Sequence, residues 1–160
     1  IGEIGSGLKN TLTLFERARV HVGSWGYGMA RRALDESIKY AIDRSQHGKP
    51  IAGHQLIAEK LAVMATEIDA ARLLSLRAAG MIDAGQRCDK ECAMAKWYGT
   101  EIAVSATRQA VQIHGGNGVT KEFIVERLAR EAMIAPIPDG TTEIQKLLIG
   151  RSLTGVLAFR

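Results

Sequence analysis

The sequence predicts an all-α protein, namely a four-helix up-down bundle with one additional short helix. Apolar residues recur at intervals of three and four along most of the chain, as they do on the buried face of a helix. The apolar fraction of 46% comes mainly from Ala, Leu, Ile and Val, with three prolines and 5% aromatic residues, which favours packed helices. No segment alternates apolar and polar residues over a useful strand length.

The two longest helical patterns lie in the first half of the chain. Apolar residues at helical intervals predict a first helix over residues 12–44, and the Gly-Lys-Pro triplet at 48–50 stops that pattern. A second helix is predicted over residues 51–84, and Gly85 ends it. Its apolar residues form a seam suited to packing in a bundle.

The second half of the sequence predicts two further long helices and one short helix. Asp89 is a plausible N-cap for a third helix that continues to His114, where the glycines of residues 115–118 end it. A shorter helix is predicted over residues 121–133. The prolines and the Asp-Gly pair that follow require a turn, and a last helix is predicted over residues 141–156.

The charge pattern and the cysteines exclude several classes of function. The net charge is +4, but Lys and Arg are scattered among Asp and Glu, which favours a solvated helical surface and no nucleic-acid partner. No apolar run approaches the ~20 residues that span a bilayer, and no signal-like stretch opens the sequence, so we expect a cytoplasmic protein. Cys88 and Cys92 have no second Cys or His pair at zinc-finger spacing, so we expect reduced thiols and no metal site.

Three motifs mark the ends of the predicted helices. They are Arg-Ser-Gln-His-Gly-Lys-Pro-Ile at 44–51, Gln-Ile-His-Gly-Gly-Asn-Gly at 112–118, and Asp-Gly-Thr-Thr-Glu-Ile-Gln at 139–145. Their order, spacing and helical setting resemble the C-terminal domain of the acyl-CoA dehydrogenases over nearly the whole chain. The resemblance implies that residues 1–160 form one helical domain of a larger flavoprotein, whose N-terminal helical domain and middle β-barrel lie outside this chain. The absence of an initial Met agrees with a fragment.

The resemblance also implies FAD as the cofactor, an acyl-CoA substrate, an electron-acceptor flavoprotein, and a homodimer or homotetramer assembled through the bundle. Arg44 matches the arginine that reaches the flavin pyrophosphate of a neighbouring subunit, a task suited to a permanently charged, forked donor. His47 stands where the family usually has Phe. The implied cofactor-binding residues are Arg44, Gln46, His47, Gln55, Gln112, Gly115, Gly116, Thr141 and Glu143. By residue type alone, Arg44 and the glycines are also ordinary helix-end residues.

The third motif carries the chemistry that the resemblance implies. Family members commonly place a glutamate before Gly-Thr, where it removes the α-proton of the acyl-CoA while the β-hydrogen leaves as hydride. This chain has Asp139 there, whose side chain is one methylene shorter, roughly 1.5 Å less reach. By residue type alone, Asp139 could instead be the N-cap of the last helix.

A second carboxylate leaves the choice of base open. Glu16 precedes Arg17 in a register that resembles the isovaleryl-CoA and long-chain branches, which carry their base on the first bundle helix. We expect Asp139 to be the base, with Glu16 as the alternative and neither residue as the third possibility. Arg17 and Gly140 are the expected substrate contacts, although Leu14 replaces the aspartate usual three residues before the arginine.

Three functions are compatible with these motifs. The first is an FAD-dependent acyl-CoA dehydrogenase that forms the α,β-enoyl thioester. The second is a related flavin oxidase or monooxygenase, because the nitroalkane oxidases resemble this family and use an aspartate as base. The third is a non-catalytic partner or assembly domain. We expect the isolated domain to be inactive and to bind FAD weakly, because the middle domain of the family supplies most isoalloxazine contacts.

Overall fold

The computed structural model describes residues 2–157, in which five α-helices account for most of the chain. Four long helices form the bundle, and the fourth helix in chain order is the additional short one. The bounds are α1 Gly7–Asp43, α2 Gln55–Asp83, α3 Asp89–His114, α4 Ile124–Ala132 and α5 Thr142–Thr154. The predicted all-α, four-helix-plus-one architecture is therefore confirmed.

Helix α3 is the centre of the bundle, because it packs against each of the other four helices. The main core lies between α1, α2, α3 and α4, and it is built from aliphatic side chains removed from water. Its most deeply buried members include Ala30, Ala33, Met64, Ala71, Ala110 and Val125. This core fixes α3 relative to the helices that carry the functional side chains.

The contact between α1 and α3 is close enough for the two backbones to touch. A Cβ added at Gly23 would lie 2.5 Å from the carbonyl oxygen of Ala95, and one added at Gly99 would lie 2.5 Å from that of Gly23. Both glycines are buried inside long helices, where the lack of a side chain permits this approach. Gly26 likewise faces Gly99, so α1 and α3 run in the same direction.

The helix ends show where the sequence-based boundaries were wrong. Helix α3 begins at Asp89 itself and Cys88 occupies the N-cap, so Asp89 is a first-turn acid that complements the helix dipole. Helix α1 begins earlier than residue 12, at Gly7, because Leu8 continues the helical spacing. Helix α4 is shorter than predicted, because residues 121–123 still belong to a turn that follows the 3₁₀ segment Gly115–Val119.

A two-residue hairpin between α1 and α2 was not predicted. Strand β1 (Ser45–Gln46) pairs antiparallel with strand β2 (Lys49–Pro50). His47 and Gly48 form its turn with φ values of 51° and 79°, the left-handed backbone that suits a tight hairpin turn. Strands this short leave no periodic pattern in the sequence.

The two cysteines lie at the start of α3. Cys88 and Cys92 are free and buried, with their sulfur atoms 3.5 Å apart, as expected for reduced thiols. Burial raises the pKa of the Cys92 thiol to about 12. Among the described residues, none of the helices has the length and apolarity that a bilayer crossing requires.

The glycine contact predicts the effect of a single methyl group. Gly99→Ala places a Cβ against the α1 backbone, so we expect it to cost about 1–3 kcal/mol and to lower the midpoint of thermal unfolding. Gly80→Ala is the matched control, because no atom lies within 4 Å of the added Cβ and alanine favours a helix by up to about 1 kcal/mol. Equal midpoints for both variants would contradict the contact.

Candidate functional site

The predicted site residues fall into two clusters that lie at opposite ends of α3. One cluster surrounds residues 133–141, the loop that connects α4 to α5, which we call the acidic loop because it carries Asp139. The other surrounds the C-terminal ends of α1 and α3. Lys96 contacts the acidic loop and His114 lies in the other cluster, so the two sites are about 27 Å apart along the α3 axis.

The acidic loop holds Asp139 in an unusual backbone conformation. Asp139 has a φ of 56° and Gly140 a φ of 95°. The left-handed region costs a non-glycine residue roughly 1–2 kcal/mol, so other contacts must hold the loop in this shape. The φ of Gly140 favours glycine at that position, and a Cβ there would also lie 2.9 Å from Nε2 of Gln145, which would have to shift.

Side chains from three helices donate hydrogen bonds to backbone carbonyls of the acidic loop. Gln145 of α5 donates through Nε2 to the carbonyls of Asp139 (3.1 Å) and Gly140 (2.9 Å). Arg19 of α1 donates through Nε to the Asp139 carbonyl (3.4 Å), and Lys96 of α3 donates through Nζ to the Pro136 carbonyl (2.6 Å). We call these three donors the loop clamp. They turn the loop carbonyls inward.

The start of α5 is tied to α3 beside the acidic loop. The Thr142 hydroxyl donates to the carboxylate of Glu101, which anchors the first turn of α5. Thr141 occupies the N-cap, so the interpretation of Asp139 as N-cap is wrong. A hydrogen bond from the Thr141 side chain is the main reason that the pKa of Glu143 lies below its usual value.

The Asp139 carboxylate is available for chemistry. Asp139 is half-buried, and within residues 2–157 no side chain donates a hydrogen bond to its carboxylate. The buried cation beside this loop is Lys96. Burial lowers the pKa of Lys96, and the neighbouring carboxylates, of which Asp139 has the largest effect, partly offset that lowering. The loop therefore presents an unpaired carboxylate beside a buried ammonium group.

Glu16, the alternative base, has different surroundings. It is half-buried on α1 and faces Asp89 at the start of α3. Burial, followed by a hydrogen bond and repulsion from Asp89, raises the pKa of Glu16. Arg87, through its own hydrogen bond, lowers the pKa of Asp89. Glu16 is thus already part of a carboxyl pair.

Arg17 and Arg19 point to different parts of the molecule. Arg17, the expected substrate contact, is exposed and lines a small cavity of about 120 Å³ together with Glu16 and Cys88. Arg19 is half-buried and reaches the acidic loop. Of the two arginines, the structure therefore brings Arg19 to Asp139.

The second cluster is an open pocket of about 510 Å³ between the ends of α1 and α3. Tyr40 and His114 stack with ring centroids 4.2 Å apart, and Asn117 donates to the Tyr40 hydroxyl at 3.0 Å. The His47 and His54 rings meet edge to face at 6.1 Å. The polar and glycine residues along its wall are Tyr40, Arg44, Gln46, His47, His54, His114, Gly115, Gly116 and Asn117.

The chemistry of this pocket suits a phosphate-bearing ligand. Arg44 is exposed at the end of α1, and no acidic residue among those described forms an ion pair with it. No Asp or Glu of the described chain lines the pocket. Cβ atoms added at Gly115 and Gly116 would meet nothing within 4 Å, so a ligand can approach the backbone there. The Arg44 guanidinium, the open backbone at Gly115 and Gly116, and the rings of Tyr40 and His114 line this pocket.

The structure brings together only some of the predicted cofactor residues. Gln55 is exposed at the start of α2, in a depression beside the pocket, and Gln112 is exposed on the last turn of α3. Thr141 and Glu143 lie with the acidic loop at the other end of α3. The members that line the pocket are Arg44, Gln46, His47, Gly115 and Gly116.

Sequence reasoning missed the loop clamp and part of the pocket wall. One signal was available for Lys96: it lies four residues after Cys92 and three before Gly99, on the buried face of a helix, where a lysine is unusual. Gln145 belongs to the third motif, but its role depends on a loop shape that residue type does not show. His54 lies three residues after the first motif and Asn117 lies within the second, and only the folded chain shows that both line the pocket.

The fold is that of the C-terminal domain of the acyl-CoA dehydrogenases. The family model for the C-terminal domain of acyl-CoA dehydrogenases matches residues 5–154. The chain belongs to the acyl-CoA dehydrogenase family.

Individual relatives agree with this assignment. A probable acyl-CoA dehydrogenase of Bacillus subtilis (strain 168) is 44% identical over 96% of this chain and 40% of its own length. A subunit of a caffeyl-CoA reductase–Etf complex from Acetobacterium woodii is 42% identical over the same shares. The solved structure of a Mycobacterium smegmatis glutaryl-CoA dehydrogenase in complex with FADH2 has a TM-score of 0.89 and 31% identity, over 93% of this chain and 39% of that one. The chain thus spans about 40% of the relatives it matches.

The carboxyl pair of Glu16 and Asp89 predicts a pH effect on stability. Because the pKa of Glu16 is raised in the folded state, its stabilising contribution is present below its ordinary value and is lost as pH rises through the raised one. Glu16→Gln has no carboxyl group that loses its proton as the pH rises. We therefore expect the midpoint of thermal unfolding of Glu16→Gln to rise relative to that of wild type between about pH 4 and pH 7. The exposed Glu59→Gln is the control. A pH-independent difference for Glu16→Gln would contradict the raised pKa of Glu16.

Proposed function

We propose that this chain is the C-terminal helical domain of an FAD-dependent acyl-CoA dehydrogenase, in which Asp139 removes the α-proton of the acyl-CoA. One observation carries the proposal: the loop clamp occupies the carbonyls of the acidic loop and leaves the Asp139 carboxylate without a donor. A base must have such a free carboxylate at the reacting carbon. The identity of this chain to acyl-CoA dehydrogenases supports the choice of reaction.

In the proposed reaction, this chain takes part in one proton transfer. Asp139 accepts the α-proton through its carboxylate, and the bound substrate excludes water from the site. When bound, FAD accepts the β-hydrogen with its electron pair, which leaves the α,β-enoyl thioester. Gly140, which follows Asp139 in the acidic loop, and Arg17 are the proposed substrate contacts.

Asp139 is favoured over Glu16 as the base. Glu16 is engaged with Asp89 in a carboxyl pair at the start of α3, and the motif that resembles the family's catalytic loop carries Asp139. Asp139 has no such partner, and its left-handed backbone is held from three sides. The rigid hold of the loop reduces the cost of aligning the shorter carboxylate.

The pocket at the ends of α1 and α3 is the proposed site for the phosphate-bearing part of FAD. Arg44 supplies the permanent charge, and the Gly115–Gly116 backbone permits close approach. Gln46 and His47 line the same pocket, with Gln55 and Gln112 as proposed contacts at its edge. Thr141 and Glu143 lie beside the acidic loop and are proposed to contact the flavin there. A relative solved with FADH2 supports this cofactor.

The distance between the two clusters supports an assembly of at least two copies. About 27 Å along α3 separates the acidic loop from the pocket, so one subunit is proposed to provide the pocket for the flavin of its neighbour. Exposed apolar side chains along α2, namely Leu56, Val63, Leu73 and Leu76, agree with a homodimer or homotetramer. The rest of the larger cytoplasmic protein would supply the isoalloxazine contacts.

The proposed electron acceptor is a separate flavoprotein. The Acetobacterium woodii relative is a subunit of a reductase–Etf complex, which supports such a partner. The second candidate is a flavin oxidase of the nitroalkane type, favoured by an aspartate in place of the usual glutamate. Anaerobic bleaching of the flavin by acyl-CoA thioesters, and not by nitroalkanes, is the result expected for a dehydrogenase.

Replacement of the base tests the assignment of Asp139. Asp139→Asn keeps the shape of the side chain and removes the proton acceptor, so in the full-length enzyme we expect flavin reduction by acyl-CoA to slow about 10²–10⁴-fold. The rate is measured by stopped-flow absorbance under anaerobic conditions.

Glu16→Gln is the matched control for this experiment, and we expect its reduction rate to stay within a few-fold of wild type. If flavin reduction is slowed in Glu16→Gln and unchanged in Asp139→Asn, Glu16 is the base. If both enzymes are unchanged, the non-catalytic interpretation of this domain is favoured.

Loss of the unpaired cation in the pocket tests the cofactor site. Arg44→Gln removes one charged donor to phosphate, so we expect the full-length enzyme to lose FAD affinity about 10- to 100-fold. The retained flavin is measured by dialysis and absorbance. Arg31→Gln, which removes an exposed arginine paired with Asp35 on the same helix, is expected to retain FAD fully. Equal retention by both variants contradicts the site.

A further inference from the structure

Lys96 is a buried cation for which the proposed chemistry provides no role. Its side chain is completely buried in α3, although lysine is almost never fully buried without a partner. Burying an ammonium group is costly in free energy, and a valine, leucine or methionine would fill the same space without that cost. A buried lysine at this position therefore points to a task beyond filling the core.

The contacts of Lys96 indicate that task. Its Nζ donates a 2.6 Å hydrogen bond to the carbonyl of Pro136, three residues before Asp139. This bond joins α3 to the acidic loop across 40 residues of sequence. A charged donor forms a stronger bond than a neutral one, and a proline cannot donate a backbone bond in return. Lys96 thus holds the segment before Asp139 through a single hydrogen bond, in which Lys96 is the donor.

The position of Lys96 in the bundle makes the anchor rigid. Gly99 is one turn away, where α3 touches the α1 backbone, so neither helix can shift without a clash. Arg19 reaches the same loop from α1, one turn before Gly23. The two cations approach the loop from helices locked together, while Gln145 approaches it from α5.

We propose that Lys96 is a positioning residue for Asp139: it holds the acidic loop from the Pro136 carbonyl, so that the carboxylate stays directed at the reacting carbon. This inference rests on the proposed function of Asp139. Gln145 fixes the peptide after Asp139, and Lys96 fixes the segment before it. Lys96 does not contact the substrate in this proposal, and its hydrogen bond is to the loop backbone.

The test uses the full-length flavoprotein with Lys96→Met, whose unbranched side chain is one atom shorter and cannot donate a hydrogen bond. We expect kcat per bound flavin to fall about 10- to 100-fold, because displacements near 1 Å have effects of that size, while KM and flavin content stay unchanged. Backbone hydrogen exchange within residues 134–141 is expected to become faster. Lys90→Met on the same helix, where the lysine is partly exposed and pairs with Glu91, is expected to leave kcat and loop exchange unchanged.

A purely structural role would give a different result. If Lys96→Met lowers the thermal midpoint but keeps wild-type kcat and loop exchange, the positioning proposal is overturned. If Lys96→Met does not fold, Lys96→Gln provides the same comparison with a shorter, neutral donor. A kcat between those of wild type and Asp139→Asn, together with loop exchange faster than in wild type, supports the proposal. Wild-type values for Lys96→Gln overturn it.

The Asp139→Asn enzyme separates the two proposals. If Asp139→Asn is fully active, the assignment of the base fails, and the loop exchange of Lys96→Met still decides whether Lys96 holds the loop. If Asp139→Asn is inactive and Lys96→Met is normal in both measurements, only the positioning role fails.

Discussion

The backbone contact between α1 and α3 is the constraint on which the rest of the structure depends. Gly23 and Gly99 allow the two helices to touch, which leaves no room for sliding or rotation at that point. Because the helices run in the same direction, Arg19 and Lys96 approach the acidic loop from neighbouring helices. At the other end, the same arrangement places Arg44 of α1 beside the last turn of α3 and forms the pocket.

The acidic loop shows how a strained conformation is maintained. Asp139 adopts a left-handed backbone, which is unfavourable by itself, and three side-chain donors hold the surrounding carbonyls. Those donors satisfy carbonyl groups that would otherwise lose hydrogen bonds on burial. Because the donors belong to packed helices, the position of those helices fixes the direction of the Asp139 carboxylate. The fold is thereby connected to the proposed proton transfer.

The helices could be predicted from the sequence, because each buries a face of apolar residues at regular spacing, and α2, α3 and α5 end within two residues of a glycine. The hairpin could not, since two residues per strand leave no pattern. The loop clamp could not either: Arg19 and Lys96 have the charges of surface residues, and only the packed helices bring them to one loop. The predicted cofactor residues follow the same rule, because residue type does not reveal that Thr141 lies far along α3 from Arg44.

The central claim is that Asp139, held by this loop, exchanges a proton with the α-carbon of the substrate. The most direct test is α-proton exchange in D₂O, with the full-length enzyme and an acyl-CoA analogue that cannot lose its β-hydrogen, followed by NMR. The account predicts that wild type and Glu16→Gln exchange the α-proton and that Asp139→Asn does not. Exchange at the wild-type rate in Asp139→Asn would contradict it.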